Sequence, residues 1–97
     1  MRLRRAATWD PALVLEFATA LGEEFKGKGA NVILGPSLNV HRVARNGRNF
    51  EYISGEDPYL GSQLVPAYVR GVHSTGVATV MKHYTLNQQE TSRMIAI

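Results

Sequence analysis

The sequence predicts an α/β domain with parallel strands, in the order helix, strand, helix, strand. Three observations carry this reading. Two stretches with helical apolar spacing each open on the same dipeptide, Asp10-Pro11 and Asp57-Pro58. Two short apolar runs, over 31–34 and 77–81, are each set off by glycines. Both runs give onto polar residues: the first onto Gly35-Pro36 and a loop holding Arg42, Arg45 and Arg48, the second onto Lys82-His83-Tyr84. A strand, a helical crossover and a second strand form a unit whose strands are parallel and whose connection is right-handed. Ligands of such sheets bind at the C-terminal strand ends. The two polar segments are therefore expected side by side at one functional edge.

Asp10 can cap the first helix. Pro11 suits the first helical position, where its missing N–H would be unpaired anyway. Leu13, Phe17, Leu21 and Phe25 recur at intervals of four, with Val14 and Ala18 beside them, as one apolar stripe. Lys26 and Lys28 come where cations suit the helix dipole, and Gly27 and Gly29 end the helix. The spacing predicts a helix over 11–26. The run over 31–34 is too short for a helix between such breakers and reads as a strand buried on both faces.

A loop over 35–55 follows. Loops longer than about 12–15 residues in compact domains are usually functional or disordered. Here Val40, Val43, Phe50, Tyr52 and Ile53 can pin the chain, which favours an ordered, functional loop. Leu60, Leu64, Val65, Tyr68, Val69 and Val72 then predict a helix from Pro58 to about Val72. Pro66 should kink that helix or delay its start, because an interior proline costs about 3 kcal/mol or more. Ser74-Thr75-Gly76 turns into the second strand, over 77–81. The sequence stops on Met94-Ile95-Ala96-Ile97, an apolar run read as the start of a third strand and as a mark of truncation.

Composition bounds the function classes. With 44% apolar and 20% charged residues over 97 positions, the chain is one globular domain or less and not a disordered tail. The net charge of +3 is modest. The basic cluster Arg2, Arg4 and Arg5 is continued by no aromatic or basic stripe, so it reads as a solvated terminus and no nucleic-acid partner is expected. No run approaches the ~18 apolar residues of a membrane span, so no membrane partner is expected. The absence of cysteine excludes thiolate chemistry and a disulfide framework. His41 and His73 lie far apart without a carboxylate pattern, so no metal is expected and no cofactor is implied. His73 is expected to be exposed, and Trp9 to belong to the core. Gly27, Gly29 and Gly35 stand in the wrong order of helix and strand for a phosphate loop.

Five pieces in order resemble the N-terminal barrel domain of glycoside hydrolase family 3, the family of β-glucosidases and β-xylosidases. They are Gly35-Pro36-Ser37-Leu38-Asn39-Val40, Gly47-Arg48-Asn49-Phe50-Glu51, Glu56-Asp57-Pro58-Tyr59-Leu60, Lys82-His83-Tyr84, and Asn87 with Gln89-Glu90 and Arg93. Ala7-Thr8-Trp9-Asp10 keeps the same register, so the likeness runs from about Ala6 to Met94, with residues 1–5 outside it. It implies a partial (β/α)8 TIM-barrel-like domain, with the rest of the barrel as a partner. It also implies a carbohydrate substrate, a β-glucoside or β-xyloside, held by Arg48, Lys82, His83 and Arg93. The chemistry suits the role, because a planar guanidinium can grip two hydroxyls and charged donors bond more strongly than neutral ones. Secretion or a periplasmic location suits an intact enzyme of this kind.

The resemblance also implies what is missing. Retaining glycosidases use two carboxyl groups. The family nucleophile is an aspartate in a Ser-Asp-Trp-like motif, which this chain lacks. Its only aspartates, Asp10 and Asp57, read as helix caps. The acid/base residue and an upstream sugar-binding aspartate are absent too, and Arg45-Asn46 stands before Gly47 where the family commonly has a glycine. No catalytic residue is therefore expected in this chain. Two functions stay open: part of a retaining glycoside hydrolase, or a non-catalytic relic that binds carbohydrate or serves as an interaction module. Arg48 likewise has two readings, a sugar contact or a loop-ordering pair with Glu51 or Glu56. Glu51 is expected to order the loop by pairing with an arginine.

Overall fold

The computed structural model describes residues 7–95. Helix α1 spans Pro11–Gly27, strand β1 Val32–Ser37, a 3-10 turn Asn49–Glu51, helix α2 Pro58–Ser74 and strand β2 Ala78–Lys82. The two strands pair in parallel. The fold is the α/β arrangement that the sequence predicts, in the predicted order. The basic cluster at Arg2–Arg5 lies outside the described residues. Of the expected third strand, Met94 and Ile95 form a turn instead, and Ala96 and Ile97 lie outside the described residues.

Both Asp-Pro starts are built as expected. The Asp10 carboxylate accepts hydrogen bonds from the Ala12 and Leu13 amides at 2.8 and 3.2 Å. The Asp57 carboxylate accepts one from the Tyr59 amide at 2.8 Å. Such caps satisfy amides that the first turn leaves without partners, worth about 1 kcal/mol each. Pro66 does not divide α2, which runs unbroken to Ser74. It sits on the exposed side, as does Ser62 one turn back, so the carbonyl it leaves without a donor faces solvent.

The helices pack on each other. The buried line of α1 is Val14, Ala18 and Gly22, with Phe17, Leu21 and Phe25 only partly covered and Leu13 exposed. The expected stripe is thus rotated by one residue. The small side of α1 turns toward α2, where Gly71 meets Leu15, Ala18 and Thr19. Ile33, Ile53, Leu64, Ala67, Tyr68, Val72 and Val77 complete the core.

The strands depart from the sequence reading in length and in burial. β1 continues past Leu34 through Gly35 and Pro36 to Ser37, with Leu34 and Gly35 both opposite Val80 in an irregular register. One sheet face is left uncovered: Ile33 is buried, whereas on the other face Leu34 is 66% exposed and Val32 and Val80 are open as well. Two strands carry cover only where α1 and α2 supply it, so the apolar residues of the opposite face stay bare.

Candidate sugar-binding site

The site forms at the C-terminal ends of β1 and β2, where the sequence places it. Ser37 and Lys82 end the two strands opposite each other, and the Leu38 amide donates to the Lys82 carbonyl at 2.8 Å. The loop from 38 to 57 then returns to the sheet. Its Ile53 amide donates to the Ser37 carbonyl at 3.0 Å, and Tyr52 forms a parallel bridge with Ser37. The Ser54 hydroxyl donates to the Leu38 carbonyl at 2.5 Å. Tyr52, Ile53 and Ser54 are buried. Tyr52 and Ile53 pin the loop as expected, together with the strand-like bonds, whereas Val43 and Phe50, expected to help, are exposed.

Arg48, Lys82 and His83 are brought together around Glu51. Arg48 Nε donates to Glu51 Oε1 at 2.6 Å, and Lys82 Nζ donates to Glu51 Oε2 at 2.6 Å. One carboxylate therefore holds both cations. Arg48 Nη1 also donates to Glu90 Oε1 at 2.8 Å, and Arg48 Nη2 lies 3.3 Å from His83 Nε2. His83 is fixed on two further sides. Its amide donates to Asn39 Oδ1 at 2.6 Å, and its Nδ1 lies 2.5 Å from the Tyr52 hydroxyl. The Lys82–His83 peptide is cis. Arg93 stands apart from this group: its side chain is 63% exposed and, among the described residues, its ion-pair partner is Glu90, at 3.3 Å.

Other side chains complete the arrangement without having been singled out in the sequence. Asn46 is buried, accepts the Arg48 amide at 3.1 Å and donates to the Asn87 carbonyl at 3.2 Å. Asn39, Asn46, Tyr52 and Glu90 all position the cations or His83. Asn39, Glu51 and Glu90 were present in the motifs that carry the resemblance, but the pairings among them join residues 31 to 44 positions apart. Arg48 takes Glu51 and not Glu56 as its loop partner. Trp9, expected in the core, is 75% exposed. It stands just before the cap of α1 in a groove with Pro11, Tyr59 and Leu60, and this groove shares no residue with the charged cluster. His73 is exposed as expected, and its Nε2 lies 2.9 Å from the Thr79 hydroxyl.

The charges reinforce one another. Hydrogen bonds from Arg48, then from Lys82, hold the Glu51 carboxyl down at about 2 against its own burial. The Arg48 bonds to Glu51 and then to Glu90 raise Arg48 in turn. Burial pushes His83 down, and the nearby Arg48 and Lys82 charges push it further, so its ring is held neutral. Both shifts make stability fall with acidification. His83 contributes as pH drops below its ordinary 6.5, because the unfolded chain then binds the extra proton. Glu51 contributes fully above the ordinary 4.5, and its share is lost as pH falls toward about 2. Thermal unfolding followed from pH 7 to pH 2 should show this decline, and Glu51→Gln should flatten the part below 4.5. A variant curve parallel to that of the wild type would contradict it.

The result is an edge of fixed cationic donors with a neutral imidazole beside them, a pattern suited to a ligand rich in hydroxyl groups. Among the described residues, no three His, Asp or Glu side chains converge as a metal site.

Comparison with known proteins identifies the family. The glycosyl hydrolase family 3 N-terminal domain matches residues 2–92. A β-glucosidase of Bacteroides ovatus is 50% identical over 88 residues, which is 91% of this chain and 12% of that enzyme. Thermostable β-glucosidase B of Acetivibrio thermocellus is 46% identical over 89 residues, again 12% of its length. The structure of β-glucosidase 3B from Thermotoga neapolitana in complex with glucose superposes with a TM-score of 0.88 at 44% identity, over 97% of this chain and 13% of that one. A β-glucosidase of Bifidobacterium adolescentis superposes with a TM-score of 0.85 at 41% identity. The chain thus spans about an eighth of the enzymes it resembles, and it belongs to glycosyl hydrolase family 3, within the N-terminal domain.

Proposed function

We propose that this chain is one segment of a retaining glycoside hydrolase of the β-glucosidase type, supplying part of its sugar-binding subsite and none of its catalytic carboxyl groups. The observation that carries this reading is the clamp of Arg48 and Lys82 on Glu51, with His83 beside it at the two strand ends. Arg48, Lys82 and His83 contact the hydroxyls of a β-glucoside or β-xyloside, and Arg93 lies at the rim, aligned by Glu90. Both aspartates are spent on helix caps, and, as the family resemblance implies, the nucleophile and the acid/base residue come from another segment. The bare sheet face of Val32, Leu34 and Val80 is covered by the remainder of the barrel. The same commitment of the aspartates favours, as a second reading, a relic that binds carbohydrate without cleaving it.

The test compares the isolated chain with the longer protein that carries it, on an aryl β-glucoside. The isolated chain is expected to show no turnover, and the longer protein to hydrolyse the substrate. Asp10→Asn and Asp57→Asn in the longer protein should keep turnover, since neither carboxylate reacts. Hydrolysis that follows the purified chain alone, or a loss of about a thousandfold or more in either variant, would overturn the reading. Glucose binding without turnover by the longest protein the gene encodes would establish the relic.

A further inference from the structure

We propose that Tyr52 is a positioning residue that fixes the tautomer of His83, so that the His83 Nε2 lone pair accepts from Arg48 and holds its guanidinium at the sugar site. The proposal rests on the sugar-binding reading of Arg48, Lys82 and His83. A guanidinium has only donors and stays protonated at every pH a protein survives. With Arg48 Nη2 at 3.3 Å, a proton on His83 Nε2 would set donor against donor. The neutral ring must therefore carry its proton on Nδ1, and Nδ1 lies 2.5 Å from the Tyr52 hydroxyl oxygen. Tyr52 accepts that proton's hydrogen bond.

The setting is rigid. Tyr52 is 2% exposed, with its backbone tied to β1 at Ser37. Its ring is held between His41, edge-on at 5.7 Å between centroids, and His83 at 5.5 Å. The His83 amide is held separately by Asn39. Without the hydroxyl, a part-buried Nδ1–H would lose its acceptor, and the ring would move its proton to Nε2 or turn away from Arg48. The functional consequence follows from what that lone pair holds. Nε2 lies 3.3 Å from Arg48 Nη2 and accepts from it, so the tautomer set by Tyr52 fixes the guanidinium that is to meet the sugar.

The charged and titratable groups facing His83 are Arg48 and Lys82, which oppose its protonation, Glu51 and Glu90, which favour it, and Tyr52 with His41 behind it. Removing the hydroxyl takes away a partner that the imidazolium would use more strongly than the neutral ring. The His83 pKa should therefore fall further.

The test uses Tyr52→Phe in the longer protein, which keeps the ring and its packing. Imidazole nitrogen shifts, assigned to His83 by comparison with His83→Gln, should show a protonated Nδ1 in the wild type and a shift toward a protonated Nε2 in Tyr52→Phe. KM for an aryl β-glucoside should rise about five- to tenfold with kcat changed less, since the contact is made in ground and transition states alike. A purely structural Tyr52 would instead lower the melting temperature with KM and the nitrogen shifts unmoved, and that result would overturn the proposal. So would an unprotonated Nδ1 in the wild type. If the wild type shows neither glucose binding nor turnover, the sugar-binding reading fails, while the nitrogen shifts still decide the tautomer.

Discussion

In the longer protein, Glu51→Ala is expected to lower kcat/KM for a β-glucoside by roughly a hundredfold or more, beyond the loss from either cation alone. On the proposed reading, Arg48→Ala and Lys82→Ala each remove one charged hydrogen bond to substrate, worth about 1.5–3 kcal/mol, or roughly ten- to a hundredfold. Glu51 holds both cations at 2.6 Å, one through each oxygen. Its removal leaves two like charges side by side with no shared partner, and both can leave the position in which a sugar would meet them. Arg48 keeps Glu90 at 2.8 Å, whereas no other carboxylate is within 4 Å of Lys82 among the described residues. Lys82 should accordingly be the more displaced of the two. The three losses are not additive, because the residues act as one unit. Steady-state kinetics of the three single variants and of Arg48→Ala with Glu51→Ala would show this. A Glu51→Ala enzyme within about threefold of wild type would reduce the carboxylate to an ordinary surface partner, of the kind worth about 0–1 kcal/mol.

The parts legible in the sequence are those set by local chemistry. Asp10 and Asp57 announce helix starts because a short carboxylate before a proline can do little else as well. The end of β2 was legible because its apolar run gives onto Lys82-His83, whereas β1 runs on past Leu34 through Gly35-Pro36 to Ser37. The pairing of Arg48 with Glu51 was legible because the two are three positions apart. What was not legible depends on the third dimension. Phe17, Leu21 and Phe25 looked like the centre of the core, but α1 turns its small residues Ala18 and Gly22 inward so that α2 can approach. Strands rich in Val, Leu and Met read as doubly buried, yet the described elements leave one face bare. Trp9 is large and apolar, and no spacing rule told that it precedes the cap of α1 and lies in the open. Glu90 and Tyr52 carried no sign of their roles, because each acts on a residue more than 30 positions away.

Gly71→Val should unfold or strongly destabilise the protein, and Gly71→Ala should destabilise it less but in the same direction. A β-carbon built at Gly71 would stand 2.6 Å from the Leu15 carbonyl oxygen, 2.7 Å from Ala18 Cβ and 2.9 Å from the Thr19 nitrogen. Two of these atoms are backbone of α1, so no rotamer change relieves the clash and the helices must separate. Overpacking of this kind costs about 1–3 kcal/mol, occasionally more. Separation would also loosen Val14, Ala18, Leu64 and Val72 in the shared core. Helix propensity works the other way, since alanine is better than glycine inside a helix by about 0.5–1 kcal/mol. The sign of Gly71→Ala therefore decides which effect wins, and the close backbone contacts favour loss. Gly27→Ala is the control: the site is at the end of α1 with open space around it, and the change should be neutral or slightly stabilising. Gly22→Ala lies between them, because its obstacle is the Thr75 side chain, which can rotate at the expense of its hydrogen bond to the Val72 carbonyl. Urea unfolding of the longer protein, with protease sensitivity near residue 71 as a second reading, would rank the variants. A Gly71→Ala protein as stable as wild type would show that α1 and α2 sit further apart than the contact at Leu15, Ala18 and Thr19 requires.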